Sequence, residues 1–376
     1  MNDHAVEGRL DIRFHPNPTA AADSERVQIR SSRPLQASQL LDGKTPEQAL
    51  ELIRLLFTLC GEAQSQAAEE ALAQASGRPL TPRQRQRRDL LTMMETAREH
   101  LLRLFLDGPR LFDLDHDNRS LQAILPLLEQ LRQSRSDDDI RDIVAELERQ
   151  LAERVFAGPP AAWLETTDID RLEHWMRQSD SLPARCLHRL CDRGWSSQGH
   201  QSLTAMPPLD PQLLMQRLQN PEFVGRPDWL GRHYETSCLT RQRYHPLILE
   251  LLREFGTGLL TRHAARLIEL ASLPGRMREH LQQRTAREPT RPLPEGQGLA
   301  QVEAARGRLI HAVELRRGRI ERYRILAPTE WNFHPRGPVA RSLSRIRAHS
   351  PGDWRRLAEL IIQAIDPCVG YRLELA

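Results

Sequence analysis

Residues 305–336 read ARGRLIHAVELRRGRIERYRILAPTEWNFHPR, and this stretch decides the architecture. From Arg308 the apolar period is two. Leu309, His311, Val313 and Leu315 share one face, Arg316-Arg317-Gly318 turns the chain, and Arg319 to Leu326 returns. Alternation interrupted by a glycine-bearing turn predicts a β-hairpin. Upstream the period is helical. Amphipathic helices are expected at 82–106, 119–134, 136–155, 168–177, 210–218, 244–254 and 259–285. Pro- and Gly-bearing loops at 107–118, 157–162, 205–211 and 287–298 punctuate them.

The two ends carry their own signals. Leu10, Ile12 and Phe14 alternate and can pair with Val27 to Ile29, a hairpin within residues 1–31. Thr45-Pro46 with Gln48 is a capping box that opens a helix with Leu50, Ile53, Leu56 and Phe57 as its apolar stripe. A second helical stretch, about 65–75, follows Cys60-Gly61. Near the C-terminus Ser350, Pro351 and Asp353 start a helix that stops at Asp366, because the residue before Pro367 disfavours helix. The expected fold is mainly α with short antiparallel β-hairpins near both ends.

Composition excludes several classes. The net charge is +3 over 376 residues, too weak a field for a polyphosphate partner; Lys44 is the only lysine. No run of about 18 apolar residues is present, and Met1 to Arg9 has no apolar core of a secretory signal. Five scattered cysteines (60, 186, 191, 238, 368) argue against a disulfide scaffold and for a reducing, cytoplasmic setting.

Few constellations carry chemistry. Cys186, His188 and Cys191, with Cys238 or His200, offer zinc donors at a poor spacing. Asp113 to Asp117 starts like a calcium loop but has Asn118 and Ile124 where Gly and Glu are needed, which leaves a solvated loop. The run Arg83 to Arg88 has no interleaved aromatics and reads as the head of a solvated helix. Cys60 and Cys368 each follow an apolar helix. Taken singly, each is a small buried hydrophobe; taken together, they are two thiolates brought from opposite ends of the chain.

Four segments in order resemble a known family. Arg306-Gly307-Arg308-Leu309-Ile310-His311, Gly318-Arg319-Ile320-Glu321-Arg322-Tyr323, Pro328-Thr329-Glu330-Trp331-Asn332-Phe333-His334-Pro335-Arg336 and Asp366-Pro367-Cys368 resemble the large subunit of nickel–iron hydrogenases. Glu7-Gly8-Arg9-Leu10 and Cys60-Gly61 agree with its N-terminal motifs. The resemblance implies one large-subunit-like domain over 1–376. Within it lie a hairpin at 1–31, a helical body at 45–286, a hairpin at 300–326 and a C-terminal segment at 327–376. It also implies four thiolates in two CxxC pairs around nickel and iron. Here the second member of each pair is Ala63 and Tyr371, Thr58 replaces an arginine, and Ala67 and Glu374 replace histidines. Hydrogenase activity and nickel are therefore not expected.

This pattern resembles the HupK/HoxV-type hydrogenase maturation proteins, degenerate paralogues of the large subunit. What the resemblance implies is a cytoplasmic scaffold that transiently holds an Fe(CN)2CO fragment on Cys60 and Cys368. Arg306, Pro328 and Thr329 would surround the diatomic ligands, with Glu7 and His311 further out. Expected partners are HypC/HypD-type iron-fragment assembly proteins and the hydrogenase large-subunit precursor. The alternative is a metal-free pseudo-subunit that binds hydrogenase subunits or assembly chaperones.

Overall fold

The computed structural model of the chain describes residues 8–16, 26–33, 35–57, 59–282 and 293–376. The N-terminal alternation forms β1 (Arg9–Phe14) and β2 (Val27–Ser31), antiparallel, with Ile12 opposite Ile29. A second sheet contains β3 (Gln297–Ala304), β4 (Gly307–Arg316) and β5 (Arg319–Leu326) in that order, all antiparallel. Arg317 and Gly318 form the β4–β5 turn with φ of 52° and 73°. Two positive φ values in a two-residue loop match the right-handed twist of a hairpin. Finally β6 (Gly370–Leu375) joins the first sheet beside β1, parallel, with Leu373 opposite Ile12.

The sheets thus extend both expected hairpins. β6 was not anticipated, and it ties the two chain ends into one sheet. β3 was not anticipated as a full strand either. Its inward residues, Gly298, Ala300, Val302 and Ala304, are too small to write a clear apolar period. The expected 259–285 helix is observed as Leu259–Gln282, and 168–177 as Ile169–Gln178. The expected 119–134 helix is two, Asn118–Ile124 and Pro126–Gln133, because Pro126 has no N–H to continue the ladder. The helices Leu182–Asp192, Pro221–Gly225 and Cys238–Gln242 were missed.

The helix Leu259–Gln282 runs through the largest apolar cluster and is buried without a break from Leu259 to Ala271. Arg262 and Glu269 enter that core as ion pairs, while Arg266 donates to the Gln363 and Ala364 carbonyls. Arg262 meets Glu235 at 2.6 Å, and Glu269 accepts from His100 at 2.8 Å and from Arg241. A buried ion without such a partner would be strongly destabilising.

A second cluster positions the site. The helix Gly61–Ala75 lays Ala63, Ala67, Ala68, Ala71 and Ala75, all buried, against the β3–β4–β5 sheet. Small side chains let helix and sheet approach closely. At Gly298 a Cβ would fall 1.9 Å from the Ala71 carbonyl oxygen, so the strand has no room for one. His311 bolts the two layers together. Its Nε2 donates to Gln64 Oε1 and its Nδ1 accepts from the Tyr323 hydroxyl, each at 2.8 Å. Burial pushes the His311 pKa down to about 3, so the imidazole is neutral.

This contact yields a test. Gly298→Ala forces the Gly61–Ala75 helix off the sheet and should cost about 2–3 kcal/mol. A lowered urea midpoint is expected; an unchanged one would refute the close-approach argument.

Candidate functional site

Cys60 sits at the N-terminus of the Gly61–Ala75 helix with φ 55° and ψ 38°. This left-handed conformation is unusual outside glycine and is held by the surroundings. The carboxylate of Glu95, on the helix Pro82–Leu102, completes the helix start. It accepts from the backbone N–H of Glu62 at 2.9 Å and of Ala63 at 3.0 Å. An anion there also complements the helix dipole. The position of the missing second thiolate, Ala63, is therefore occupied by a capping interaction. Burial pushes the Glu95 pKa up to about 7 against these two hydrogen bonds.

Cys368 arrives from the other end. The helix Pro351–Ile365 stops at Asp366, whose φ is 67°. The chain then turns, and the Cys368 N–H donates to Thr329 Oγ1 at 2.9 Å. Thr329 belongs to the short helix Pro328–Asn332. Tyr371, at the second missing thiolate, is already in β6 opposite Leu10.

Arg306 lies between the two ends, in the tight β3–β4 connection. Asn332 Oδ1 accepts from the Thr236 N–H at 3.0 Å, and the Arg308 N–H donates to Thr236 Oγ1 at 2.8 Å, which fixes the turn. The buried guanidinium then faces three acceptors. Nη1 donates to Cys60 Sγ at 2.9 Å, and Nη2 donates to Glu99 Oε2 at 2.8 Å. Nε lies 3.3 Å from Asp366 Oδ1, an ion-pair separation without hydrogen-bond geometry. Asp366 also accepts from Arg103 at 2.7 Å, and Arg103 and Arg306 hold its pKa well below the carboxylate range.

Cys60 and Cys368 shift each other's titration. Cys60, Arg306, Arg33 and the Thr329 hydroxyl lower the Cys368 pKa. The Cys60 pKa is raised, by its neighbour Cys368 and by burial. Cys60 is buried and Cys368 only partly so, which opens the pair to solvent from the Cys368 side. A sulfur beside a guanidinium and a threonine hydroxyl offers a soft donor next to hydrogen-bond donors.

The structure thus brings Cys60, Cys368, Arg306, Pro328 and Thr329 into one place. His311 has both ring nitrogens engaged, by Gln64 and Tyr323, in the helix–sheet contact. Glu7 lies outside the described residues. The zinc alternative does not assemble. Cys186 is in the main core, His188 pairs with Asp192 at 2.9 Å, and Ser196 donates to Cys191 sulfur at 3.6 Å. Burial pushes the Cys186 and Cys238 pKa values up to about 12 and about 11. Among the described residues no three His, Cys, Asp or Glu side chains converge as a metal site. Asp113 binds Arg193 and Arg356, and Asp117 caps a helix through Ser120. The run Arg83 to Arg88 does head a helix, but it is not all solvated. Arg87 donates to Ser134 Oγ at 2.6 Å, and Arg88 donates to Glu69 Oε2 at 2.6 Å.

Comparison with known proteins gives the family and the fold. Residues 249–370 match the nickel-dependent hydrogenase family. The hydrogenase expression/formation protein HoxV of Cupriavidus necator is 33% identical over 99% of this chain and 96% of its own. HupK of Azotobacter vinelandii is 31% identical over 98% of this chain and 99% of its own. This chain belongs to the HoxV/HupK family of hydrogenase expression/formation proteins. The nickel–iron–selenium hydrogenase of Desulfovibrio vulgaris Hildenborough has the same fold, with a TM-score of 0.63 at 16% identity, over 91% of this chain and 92% of that one. The NAD+-reducing nickel–iron hydrogenase has a TM-score of 0.54 at 18% identity.

In this family member, sequence reasoning missed Glu95, Glu99, Arg103 and Asp366 as parts of the site. A signal existed. Glu95 and Glu99 are four apart, so they share a helix face with buried Leu91 and Met94. Two carboxylates on an apolar stripe require buried partners.

Two expectations follow from these partners. Asp366→Asn leaves Arg103 and Arg306 short of a counter-charge and should cost about 3–5 kcal/mol, read as a urea midpoint; a shift under 1 kcal/mol, on the order of a surface pair, would contradict it. Glu95 holds its proton to about pH 7 when folded and 4.5 when unfolded. The folded chain then carries the extra proton in that window, so stability falls as pH rises through it, by up to about 3 kcal/mol. Glu95→Gln should flatten this slope. A variant that keeps the full slope would show that another group produces it.

Proposed function

We propose that this protein is a carrier in nickel–iron hydrogenase maturation. It receives an Fe(CN)2CO fragment on Cys60 and Cys368 and passes it to the large-subunit precursor. The observation that carries this reading is the buried meeting of both chain ends at one guanidinium, with Arg306 on Cys60 sulfur at 2.9 Å. The family's names, hydrogenase expression/formation proteins, support the broader maturation role.

The residues suit the cargo. Two thiolates are soft donors for low-spin Fe(II). Cyanide nitrogen only accepts hydrogen bonds, and Arg306 Nε is buried with no hydrogen-bond partner. Thr329 keeps its O–H for donation while its oxygen accepts from Cys368. Ala63 and Tyr371 leave no bridging thiolates, which keeps the hold reversible and argues for an accessory role instead of catalysis. HypC/HypD-type assembly proteins would be donors and the large-subunit precursor the acceptor, in the cytoplasm. Among the described residues no helix is long and apolar enough to cross a membrane.

A second reading has its own observation. Arg306 already holds Cys60 sulfur, and Thr329 holds the Cys368 N–H, with no metal needed, as in a pseudo-subunit that binds hydrogenase subunits or chaperones.

Infrared spectra of anaerobically purified protein from its hydrogenase-producing host separate the two. Metal-bound CO and cyanide absorb where protein does not. The carrier reading expects these bands in the wild type and their loss in Cys60→Ser and in Cys368→Ser. An empty window and no iron in the wild type would leave the pseudo-subunit.

A further inference from the structure

We propose that an arginine-rich cleft behind Cys60 docks an acidic, amphipathic polypeptide segment of a partner protein. The cleft has a volume of about 1540 Å³ and lies among the helices Pro46–Leu56, Gly61–Ala75 and Pro82–Leu102 and the corner at Ser134–Ile140. Small-molecule pockets usually hold about 300–1,000 Å³. Eight arginines line it against four carboxylates, Glu47, Glu62, Glu69 and Asp137. Two of the carboxylates are engaged within the wall: Arg54 and Arg88 bind Glu69, and Arg132 binds Glu62. Arg83, Arg87 and Arg135 pair with no carboxylate among the described residues, and Arg83 and Arg135 are exposed. The cleft is therefore a net cationic surface.

Its chemistry selects a polypeptide. Leu50, Phe57 and Leu80 line the cleft, so apolar side chains have a seat between the cations. The helix Pro46–Leu56 also ends with Leu55, 76% exposed. Phe57 is the single aromatic lining residue, which gives nucleic-acid bases almost nothing to stack on. The N-terminus of Pro82–Leu102, which a phosphate would use, is filled by its own Thr81–Gln84 capping box. A concave wall also excludes a flat lipid surface.

The cleft reaches the thiols through three bonded groups. Arg98 lines it and donates to Glu99 Oε1 at 2.6 Å; Glu99 Oε2 accepts from Arg306, and Arg306 holds Cys60. A partner carboxylate that takes Arg98 draws it from Glu99 and so alters the hold of Arg306 on Cys60. That the occupant is a cargo-exchange partner rests on the carrier reading; the charge match does not.

The test uses the full chain and the double variant Arg83→Glu/Arg135→Glu, whose exposed positions should leave the urea midpoint unchanged. Fluorescence anisotropy follows a labelled peptide of Glu-Glu-Leu repeats, with Lys-Lys-Leu repeats, ATP and a single-stranded oligonucleotide as alternatives. Binding of the acidic peptide alone, weakened by salt and about tenfold weaker in the double variant, is the expected result. No binding of the acidic peptide, equal binding by the double variant, or tighter binding of ATP or the oligonucleotide would overturn the proposal. Infrared spectra of the wild type are recorded alongside. Bands without peptide binding would sink the cleft alone, and peptide binding without bands would sink the carrier reading alone.

Discussion

Arg306 is the group on which the site depends. Its guanidinium is buried and fully charged, so the fold must surround it with acceptors or pay a large desolvation penalty. It finds Cys60, Glu99 and Asp366, which come from three distant parts of the chain. Each of those groups would be costly to bury without it. Arg103 on Asp366 and Arg98 on Glu99 spread the charge further. The result is an ion network that fixes where two helix ends can lie, and with them the two sulfurs. Residual positive charge from Arg306 and Arg33 then favours a thiolate at Cys368.

The frame around this network is built for close approach. β1 and β6 pair in parallel, which carries residues 370–375 back beside residues 9–14. The alanine face of Gly61–Ala75 rests on the second sheet, and Gly298 removes the last obstructing atom between them. His311 spans the same interface through Gln64 and Tyr323. Cys60 at one end of that helix is thus placed by a rigid contact several turns long. Its left-handed backbone is tolerated because Glu95 caps the helix and Arg306 holds the sulfur.

Loss of two thiolates has been absorbed structurally. Ala63 offers only its N–H, and Glu95 takes it; Tyr371 sits in β6. The cationic cleft beyond Glu62 and Arg98 gives the same region an outward face.

Much of this was legible in the residues themselves. Period-two alternation gave β4 and β5, and N-cap signals gave the helix starts at Pro46 and Pro351, while Cys60, Cys368, Arg306, Pro328 and Thr329 were named only through the family resemblance. These signals are local: they depend on neighbours within a few positions. Only the tertiary structure showed β6 beside β1, because parallel pairing between chain ends leaves no local mark. Only it showed β3, whose small inward residues carry little apolar signal. It also showed His311 joining helix to sheet and brought in Glu95, Glu99, Arg103 and Asp366. A buried charge reveals its role through its partners, and those partners lie scores to hundreds of residues away in the chain.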